Sequence, residues 1–590
     1  MPVTGARGWY RGGVTRSQPG EAQLAHIVID DVRPRTPTGR YPAKAVIGEA
    51  VTISATIFKD GHDPLAARVR WRPVGDRKWR DEPMRCVEPG LDRWEAVVEP
   101  ADLGLHELVI EAWSEAGDAL DRTASEPHGL WVDRERALVG AWYELFPRSE
   151  GGLGGAEKRL DAIAAMGFDV VYLPPVHPIG HTARKGPNNT RAARPGDPGS
   201  PWAIGSEAGG HTSLHPELGT FDDFDGFVAA AERLDLEVAL DYALQCSPDH
   251  PWVREHPEWF HPRPDGTIRY AENPPKKYED IYPINFWPQS PGAREALWSA
   301  CKEIIDFWIG HGVRAFRVDN PHTKPIAFWA WLIPEVHVEH PDVIFLAEAF
   351  TRPPVMAKLA EVGFSQSYTY FTWRTFKPEL IEYLDELCHG PKADFMRPNF
   401  WPNTPDILSG PLRLGPRAAF KLRLVLAATL VPSYGVYSGY ELMENEPASE
   451  FNEEYLHSEK YEVKTRDWAR PDSLAPFITR VNEIRRRHPA FAELRNLQFV
   501  DVSSDALLAY AKRTADSADV TLTIVNLDAR QAHDGVLGLD LAVLGLPLDA
   551  PFEAHDELTD TTYVWNGPNQ YVRLDPAIEP AHILHLRAIT

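Results

Sequence analysis

Three short segments place a single carboxylate directly after an apolar run that has the pattern of a buried strand. They are FRVDNPH (Phe316 to His322), FLAEAF (Phe345 to Phe350) and NTPD (Asn403 to Asp406). In a (β/α)8 barrel the functional residues lie at the carboxyl ends of the strands, where loops from several strands meet at one edge. The sequence therefore predicts that Asp319, Glu348 and Asp406 share one pocket.

The middle of the chain alternates strand-like and helix-like segments. From Leu138 to about Arg487, runs such as GAWYELF and DVVYLPP alternate with helical runs such as EKRLDAIAAMGF, as in parallel sheets covered by helices. The blocks on either side have short strand-like runs separated by Gly, Pro and Asp, without a helical period. We predict an α/β protein with an N-terminal β-sandwich over 20–125, a catalytic (β/α)8 TIM barrel over 135–490 and a C-terminal all-β domain over 491–590.

Two stretches of the predicted barrel, 177–215 and 245–290, are longer than connections between secondary-structure elements need to be. Both are rich in Gly, Pro, Asn, Trp and His. Loops of this length in a compact domain usually carry function. We expect them to build the walls of the pocket.

Composition excludes several classes of partner. The formal net charge of -24 over 590 residues argues against nucleic acid and anionic membranes, which need a basic surface. The longest apolar run near the middle, Leu424 to Val431, is far too short to span a bilayer, and the first residues lack a signal-peptide core. The four scattered cysteines form no CxxC pair. A cytoplasmic location and small or neutral partners are expected.

The strand-end residues and longer strings together resemble a known family. Asp241, Arg317, Asp319, Glu348 and Asp406 match the pattern of the α-amylase clan, glycoside hydrolase family 13. The strings RKGPNN, ALQCSPDHPW, AENPPKKYEDIYPI and SEKY resemble one branch, the maltose 1-phosphate-dependent α-1,4-glucan maltosyltransferases. The resemblance implies a retaining α-glycosyltransferase that moves a maltosyl unit from a phosphorylated sugar donor to the non-reducing end of a glucan acceptor. It implies no metal and no organic cofactor.

By resemblance, Asp319 is the nucleophile, Glu348 the general acid/base, Asp406 the transition-state stabiliser and Arg317 the residue that positions the nucleophile. The residue types agree. Arg317 faces the same side of its strand as Asp319, and the apolar neighbours of Glu348 favour a raised pKa. Each residue alone is equally well explained as a strand-end ion pair, but the combination favours catalysis.

The donor pocket is predicted from residues of the long loops. A phosphoryl group needs cations and neutral donors, which Asn273, Lys276, Tyr278 and Asn320 supply. By resemblance, Lys185, Gln245, Lys460 and Tyr461 line the sugar subsites. The alternative for each lysine is a solvated loop charge. Trp202, Trp252 and Trp259 are either sugar-stacking platforms or core residues.

The sequence also departs from the resembled branch. In relatives a helical bundle contributes to dimerisation. That bundle is missing here, so the resemblance implies a homodimer less strongly than it implies the activity. On the acceptor side, Ser409 stands where a His is usual, and the segment ASEFNEEYLHSEKY (Ala448 to Tyr461) departs from the family form before its retained SEKY. These changes leave two alternatives open. One is a redirected pseudo-glycosyltransferase that couples an activated C7-cyclitol to an amino sugar, and the other is a non-catalytic glucan-binding scaffold.

Overall fold

The computed structural model describes residues 26–61, 63–115, 122–273, 276–450 and 452–589. The side chains of Asn273 and Lys276 lie outside the described part, as do residues 20–25 of the predicted first domain.

The N-terminal region forms one mixed sheet of nine strands in the order β1-β3-β6-β5-β4-β7-β9-β2, with β8 beside β7. The strands are β1 (Ile27–Arg33), β2 (Ala43–Val46), β3 (Val51–Lys59), β4 (Leu65–Pro73), β5 (Arg80–Glu88), β6 (Arg93–Val98), β7 (Gly104–Ser114), β8 (Arg122–Ala124) and β9 (His128–Asp133). Because β5 pairs with both β4 and β6, it joins the two halves of the sheet, β1-β3-β6 and β4-β7-β9-β2. Buried residues from both halves, such as Ile53, Val69 and Ile110, form one core, as in a sandwich.

The middle region contains the barrel strands and the short hairpins of its loops. The strands are β10 (Gly140–Glu144), β11 (Val170–Leu173), β12 (Glu237–Tyr242), β13 (Gln245–Cys246), β14 (Ala271–Asn273), β15 (Lys276–Tyr278), β16 (Tyr282–Pro283), β17 (Ala315–Val318), β18 (Ile344–Ala347), β19 (Gln366–Ser367), β20 (Asn399–Phe400), β21 (Asn403–Thr404), β22 (Ile407–Leu408) and β23 (Ser433–Tyr437). Eight of them form a parallel sheet in the order β19-β18-β17-β12-β11-β10-β23-β20. A parallel bridge between Ser367 and Pro398 joins its two ends and closes the predicted barrel.

Ten α-helices accompany these strands. They are α1 (Leu153–Glu157), α2 (Leu160–Ala165), α3 (Phe221–Glu232), α4 (Pro251–Glu255), α5 (Ala293–Gly310), α6 (Ile326–Glu339), α7 (Pro353–Glu361), α8 (Lys377–Cys388), α9 (Arg417–Leu430) and α10 (Ala475–Arg487), counted over the described ranges. Every residue of β17 and β18 is buried, which explains why all of them except Arg317 are apolar.

The C-terminal region is an antiparallel sheet of eight strands in the order β29-β28-β31-β26-β25-β24-β27-β30. They are β24 (Gln498–Val502), β25 (Leu507–Arg513), β26 (Val520–Asn526), β27 (His533–Gly538), β28 (Phe552–Asp556), β29 (Thr561–Trp565), β30 (Asn569–Leu574) and β31 (Ala581–Ala588). Helix α9 is buried along almost its whole length because it packs between the barrel and this sheet. The Thr429 hydroxyl lies 2.6 Å from that of Tyr510 across the seam.

None of the helices in the described ranges is both long enough and apolar enough to span a bilayer.

Candidate active site

One guanidinium holds three carboxylates at the carboxyl ends of neighbouring barrel strands. Arg317 Nη1 lies 2.8 Å from Asp241 Oδ2 and 3.1 Å from Asp319 Oδ1, and its Nη2 lies 2.5 Å from Glu348 Oε1. Parallel pairing causes this arrangement, because β17 lies between β12 and β18 and Asp241 is in register with Arg317. All four side chains are buried. The structure thus brings three strand-end carboxylates, predicted from separate segments, around one cation.

The pKa values of Asp319 and Glu348, the two carboxyls with predicted chemical roles, are shifted in opposite directions. Burial raises the pKa of Glu348 to about 8, and the neighbouring carboxylates add to this while Arg317 opposes it. Burial also disfavours the charge on Asp319, but Arg317 and then Lys324 outweigh it and hold the Asp319 pKa below its usual value. At neutral pH the pocket therefore presents an ionised carboxylate beside a protonated one. This division is what acid catalysis next to a nucleophile requires.

Two further carboxyls lie in the floor of the pocket. Asp241 accepts a short hydrogen bond from the Tyr172 hydroxyl, and burial raises its pKa to about 7. Glu144 is the last residue of β10 and is buried. Burial raises its pKa well above the usual range, with Asp241, Asp406 and Glu348 acting in the same direction. Arg317 opposes this shift, and on balance the surroundings favour the protonated form of Glu144, a residue that the sequence analysis did not single out.

Asp406 reaches the pocket from the hairpin β21–β22, which follows β20. Its Oδ1 contacts Lys460 Nζ, and its side chain is 38% exposed, more than the three carboxylates held by Arg317. The Lys460 ammonium also lies 5.4 Å above the Trp202 ring and 5.7 Å from the Tyr461 ring. The retained SEKY segment therefore contacts Asp406 directly.

Three of the predicted donor-site residues lie on the two long loops, Lys185 on the first and Gln245 and Tyr278 on the second. Lys185 is buried, contacts Glu279 and donates to the Lys277 carbonyl at 3.1 Å. Gln245 donates to the Trp202 carbonyl at 3.2 Å. Tyr278 is half-buried and lies among the groups whose charge acts on Lys460 and Tyr461.

Asp280 is a second residue that the sequence analysis did not single out. It is buried, and its Oδ1 has no hydrogen-bond partner among the described residues. Burial raises its pKa to about 6, although the charges of Lys185 and Lys460 oppose the shift. A buried acceptor without a partner is chemically able to accept a hydrogen bond from a ligand hydroxyl. Its position within AENPPKKYEDIYPI was the available signal.

Asn320 links Asp319 to Glu348. Its Nδ2 donates to Asp319 Oδ1 and its backbone N–H to Glu348 Oε2, both at 3.3 Å. Its backbone is left-handed, with φ 42° and ψ 54°. Asn273 and Lys276 pair with each other at the end of the β14–β15 hairpin, and their side chains are outside the described part.

Two histidines support the loop that carries Gln245. The ring nitrogens of His211 lie 3.0 Å from His250 Nε2 and 3.0 Å from the Ala243 carbonyl oxygen. His250 Nδ1 in turn accepts from the Trp252 N–H at 3.0 Å. Burial lowers the pKa of His211 to about 4, so the pair is neutral and serves as a hydrogen-bonded brace.

The tryptophans of the long loops mostly pack against protein. Trp252 and Trp259 lie perpendicular to each other at 5.0 Å, and Trp259 stacks on His256 at 3.8 Å. Trp202 is buried and its Nε1 donates to Asp241 at 3.3 Å. This packing agrees with the core alternative for all three.

The altered acceptor-side segment lies beside Asp406. The Leu408 N–H donates to the Glu453 carbonyl at 2.6 Å, and the Glu453 carboxylate accepts from Trp373 Nε1 at 2.9 Å. The His457 N–H donates to Asn188 Oδ1 at 2.8 Å, which ties the segment to the first long loop. Ser409 is fully buried, so it acts on an acceptor only through its neighbours.

The fold and the pocket define an α-amylase-type barrel with a carboxylate cluster at the carboxyl ends of its strands. Among solved structures, a noncanonic maltogenic α-amylase of Thermotoga neapolitana matches with a TM-score of 0.60 and 19% identity, over 77% of this chain and 99% of that one. An α-amylase of Geobacillus thermoleovorans complexed with acarbose matches with a TM-score of 0.57 and 17% identity, over 76% and 99%. At these identities the likeness shows the fold alone.

Sequence relatives identify the family. Residues 25–134 match the model described as alpha-1,4-glucan:maltose-1-phosphate maltosyltransferase, domain N/S, and residues 499–586 match the one described as GLGE, C-terminal. The chain is 49% identical to alpha-1,4-glucan:maltose-1-phosphate maltosyltransferase 2 of Streptomyces coelicolor, covering 96% of each protein. It is 44% identical to the maltosyltransferase of Mycolicibacterium smegmatis, over 95% of this chain and 97% of that protein. The chain belongs to the α-1,4-glucan:maltose-1-phosphate maltosyltransferase family.

The alignment with the Streptomyces protein runs over 653 residues, which is longer than this chain of 590. The relative therefore carries residues that this chain lacks, consistent with the missing helical bundle. These comparisons do not favour the redirected cyclitol-coupling alternative.

Proposed function

We propose that this protein transfers a maltosyl unit from maltose 1-phosphate to the non-reducing end of an α-1,4-glucan, with retention of configuration. The observation that carries the proposal is that Asp319 and Glu348 are both buried against Arg317 at the ends of neighbouring strands, in surroundings that shift their pKa values in opposite directions. A retaining transfer by double displacement needs an ionised nucleophile and a protonated acid in the same small pocket.

In the first half-reaction the Asp319 carboxylate attacks the anomeric carbon and the bond to the phosphate oxygen breaks. Glu348 is protonated and so can give its proton to the leaving oxygen. In the second half-reaction Glu348, now a carboxylate, takes the proton of the acceptor hydroxyl as that oxygen displaces Asp319. Asp406, the most exposed of these acids, stabilises the charge that develops on the sugar ring, with Lys460 fixing its orientation.

The donor is held by the loop residues. Lys185, Gln245, Asp280, Lys460 and Tyr461 line the maltosyl subsites, where buried donors and an unpaired acceptor match sugar hydroxyls. Asn273, Lys276, Tyr278 and Asn320 are proposed to hold the phosphate. Asn320 already bonds to Asp319, so it lies next to the atom that attacks.

The decisive assay incubates the full chain with maltose 1-phosphate, with and without maltohexaose, and measures phosphate release and product length. We expect release that depends on maltohexaose, and products longer by two glucose units. Asp319→Asn should abolish release, whereas Asp342→Asn, at an exposed carboxylate near Arg314, should not. Phosphate release without chain extension would contradict the transfer.

A second test separates the phosphate site from the sugar site. Asn320→Gly removes the amide but tolerates the left-handed backbone, whereas Asn320→Ala also strains it. A lost charge-assisted contact is worth about 1.5 to 3 kcal/mol, so Asn320→Gly should lower kcat/KM for maltose 1-phosphate by roughly 10- to 150-fold. An α-maltosyl fluoride donor should be affected much less. Equal loss with both donors would remove Asn320 from the phosphate site.

The acceptor and the oligomer are tested separately. Competition of maltohexaose against an amino-sugar acceptor distinguishes glucan extension from the redirected alternative. A protein that ignores glucans would contradict the proposed acceptor. A homodimer stays a prediction, which light scattering on the full chain would test.

A further inference from the structure

The turn after the nucleophile is closed by a buried lysine. Lys324 Nζ donates to the carbonyl oxygen of Asp319 at 3.0 Å and to that of Asn320 at 3.2 Å. The Thr323 hydroxyl donates to the same Asn320 carbonyl at 2.8 Å. These bonds support Asn320 in its left-handed conformation, which is uncommon for non-glycine residues although Asn adopts it more readily than most.

The charge of Lys324 is not explained by its hydrogen bonds. Both acceptors that the described residues offer its ammonium are neutral carbonyl oxygens, yet the side chain is buried. Burying an ammonium is unfavourable unless nearby negative charge compensates. Burial lowers the Lys324 pKa, and Asp319, Glu348 and Asp241 act in the opposite direction. The carboxylate cluster is therefore what compensates this ammonium.

A second cation lies beside the cluster. Arg317 contacts three carboxyl groups, and when Glu348 is protonated while Asp319 and Asp241 are ionised, its one positive charge faces two negative charges. The Lys324 charge acts on Asp319 in the same direction as Arg317. Lys460, the other nearby ammonium, is committed to Asp406.

We propose that Lys324 is a positioning residue for the transfer reaction, keeping Asp319 ionised for attack and fixing Asn320 where it meets the leaving phosphate. The first part needs only an Asp319 nucleophile. The second part rests on the proposed function, because it assumes a phosphorylated donor.

The titratable and charged groups around Asp319 define what a pH test will report. They are Arg317 on its own strand, Asp241 on β12, Glu348 after β18, and His322 and Lys324 in the turn. A unit charge about 5 Å away at an effective dielectric constant of about 20 shifts a pKa by about 2 units, and partial screening reduces this to about 1 unit. Losing the Lys324 charge should raise the Asp319 pKa by that amount.

The test uses 2-deoxy-2-fluoro-α-maltosyl fluoride, from which Asp319 displaces fluoride without acid assistance. The rate of adduct formation is followed against pH by mass spectrometry of the intact chain. For Lys324→Met we expect the acid limb to move up by about 1 pH unit, so that an additional loss of rate relative to pH 7 appears below about pH 5. Lys324→Arg should keep the limb near its wild-type position.

Thr323→Val is the matched control. It removes a bond to the same carbonyl without changing charge, so its rate should fall by a similar factor at every pH, without a shift of the limb. A Lys324→Met profile parallel to that of Thr323→Val would overturn the proposal and leave Lys324 with a structural role only. Should Lys324→Met fail to fold, Lys324→Gln, which keeps an amide donor for the carbonyls, carries the same test.

Failure of the proposed function gives a different result. If the wild type forms the adduct but releases no phosphate from maltose 1-phosphate, the donor assignment is wrong. The fluoride-donor experiment then still tests whether Lys324 keeps Asp319 ionised. If donor use is as proposed and Lys324→Met lowers kcat/KM for maltose 1-phosphate no more than the adduct-forming rate, the link through Asn320 is refuted.

Discussion

The raised pKa of Glu348 makes a quantitative prediction about stability. Folding raises this pKa from 4.5 to about 8, so the folded protein favours the protonated acid. Each pH unit of difference is worth about 1.4 kcal/mol, so ionising Glu348 above pH 8 opposes folding by roughly 3 to 5 kcal/mol. Glu348→Gln removes this penalty and keeps the shape of the neutral acid.

The difference in stability between wild type and Glu348→Gln should depend on pH. Wild type and Glu348→Gln should have similar stability below about pH 4.5, where the carboxyl is protonated in both the folded and unfolded states. Between about pH 5 and 8 the wild type should lose stability relative to the variant, and above 8 the difference should level off. The pKa of Asp241 is also raised, but Asp241 titrates in both proteins, so its effect largely cancels from the difference in their free energies of unfolding.

The assay is urea unfolding of the full chain, followed by tryptophan fluorescence across this pH range. Glu232→Gln, at an exposed carboxylate at the end of α3, is the control and should differ from wild type by the same small amount at every pH. A Glu348→Gln difference that does not change with pH, or that shrinks as pH rises, would refute the reasoning that burial keeps this acid protonated.

Three further predictions concern neighbouring groups. Asp280→Asn should raise KM for maltose 1-phosphate by about tenfold or more, since it removes a charged acceptor, and the wild-type KM should rise toward that of the variant as pH falls through about 6. Glu144→Gln should keep activity within about threefold because burial favours the protonated form that Gln imitates, whereas a loss of 100-fold in steady-state assays would mean that an ionised Glu144 is needed. Glu453→Gln weakens the contact to Trp373 and should change KM for maltohexaose but not for the donor; an altered donor KM would place this segment in the donor site.

The strand-end residues were the predictable part of the site. Parallel strands end at one edge, so carboxylates that follow different strands must converge, and the positions of Asp241, Asp319 and Glu348 follow from that rule. The loop residues were less predictable. Asp280 comes under the influence of Lys185 and Lys460 because the second long loop folds back through short hairpins, which no sequence periodicity encodes.

The role of the loop tryptophans depends on side-chain packing, which sequence periodicity does not predict. Trp252 looks as suitable for sugar stacking as for a core, but the structure places it edge-on against Trp259 and beside His211. Glu144 obeys the same strand-end rule as the catalytic candidates. It was missed because GAWYELF was interpreted only as a strand.

The central claim is that Asp319 carries the maltosyl unit covalently while Glu348 serves both half-reactions. The most direct measurement treats the wild type with 2-deoxy-2-fluoro-α-maltosyl fluoride and maps the adduct by mass spectrometry of the digested chain. The account predicts one adduct on the peptide containing FRVDNPH, its absence in Asp319→Asn, and slow release in Glu348→Ala that azide accelerates. An adduct on another peptide, or a product with inverted anomeric configuration, would contradict it.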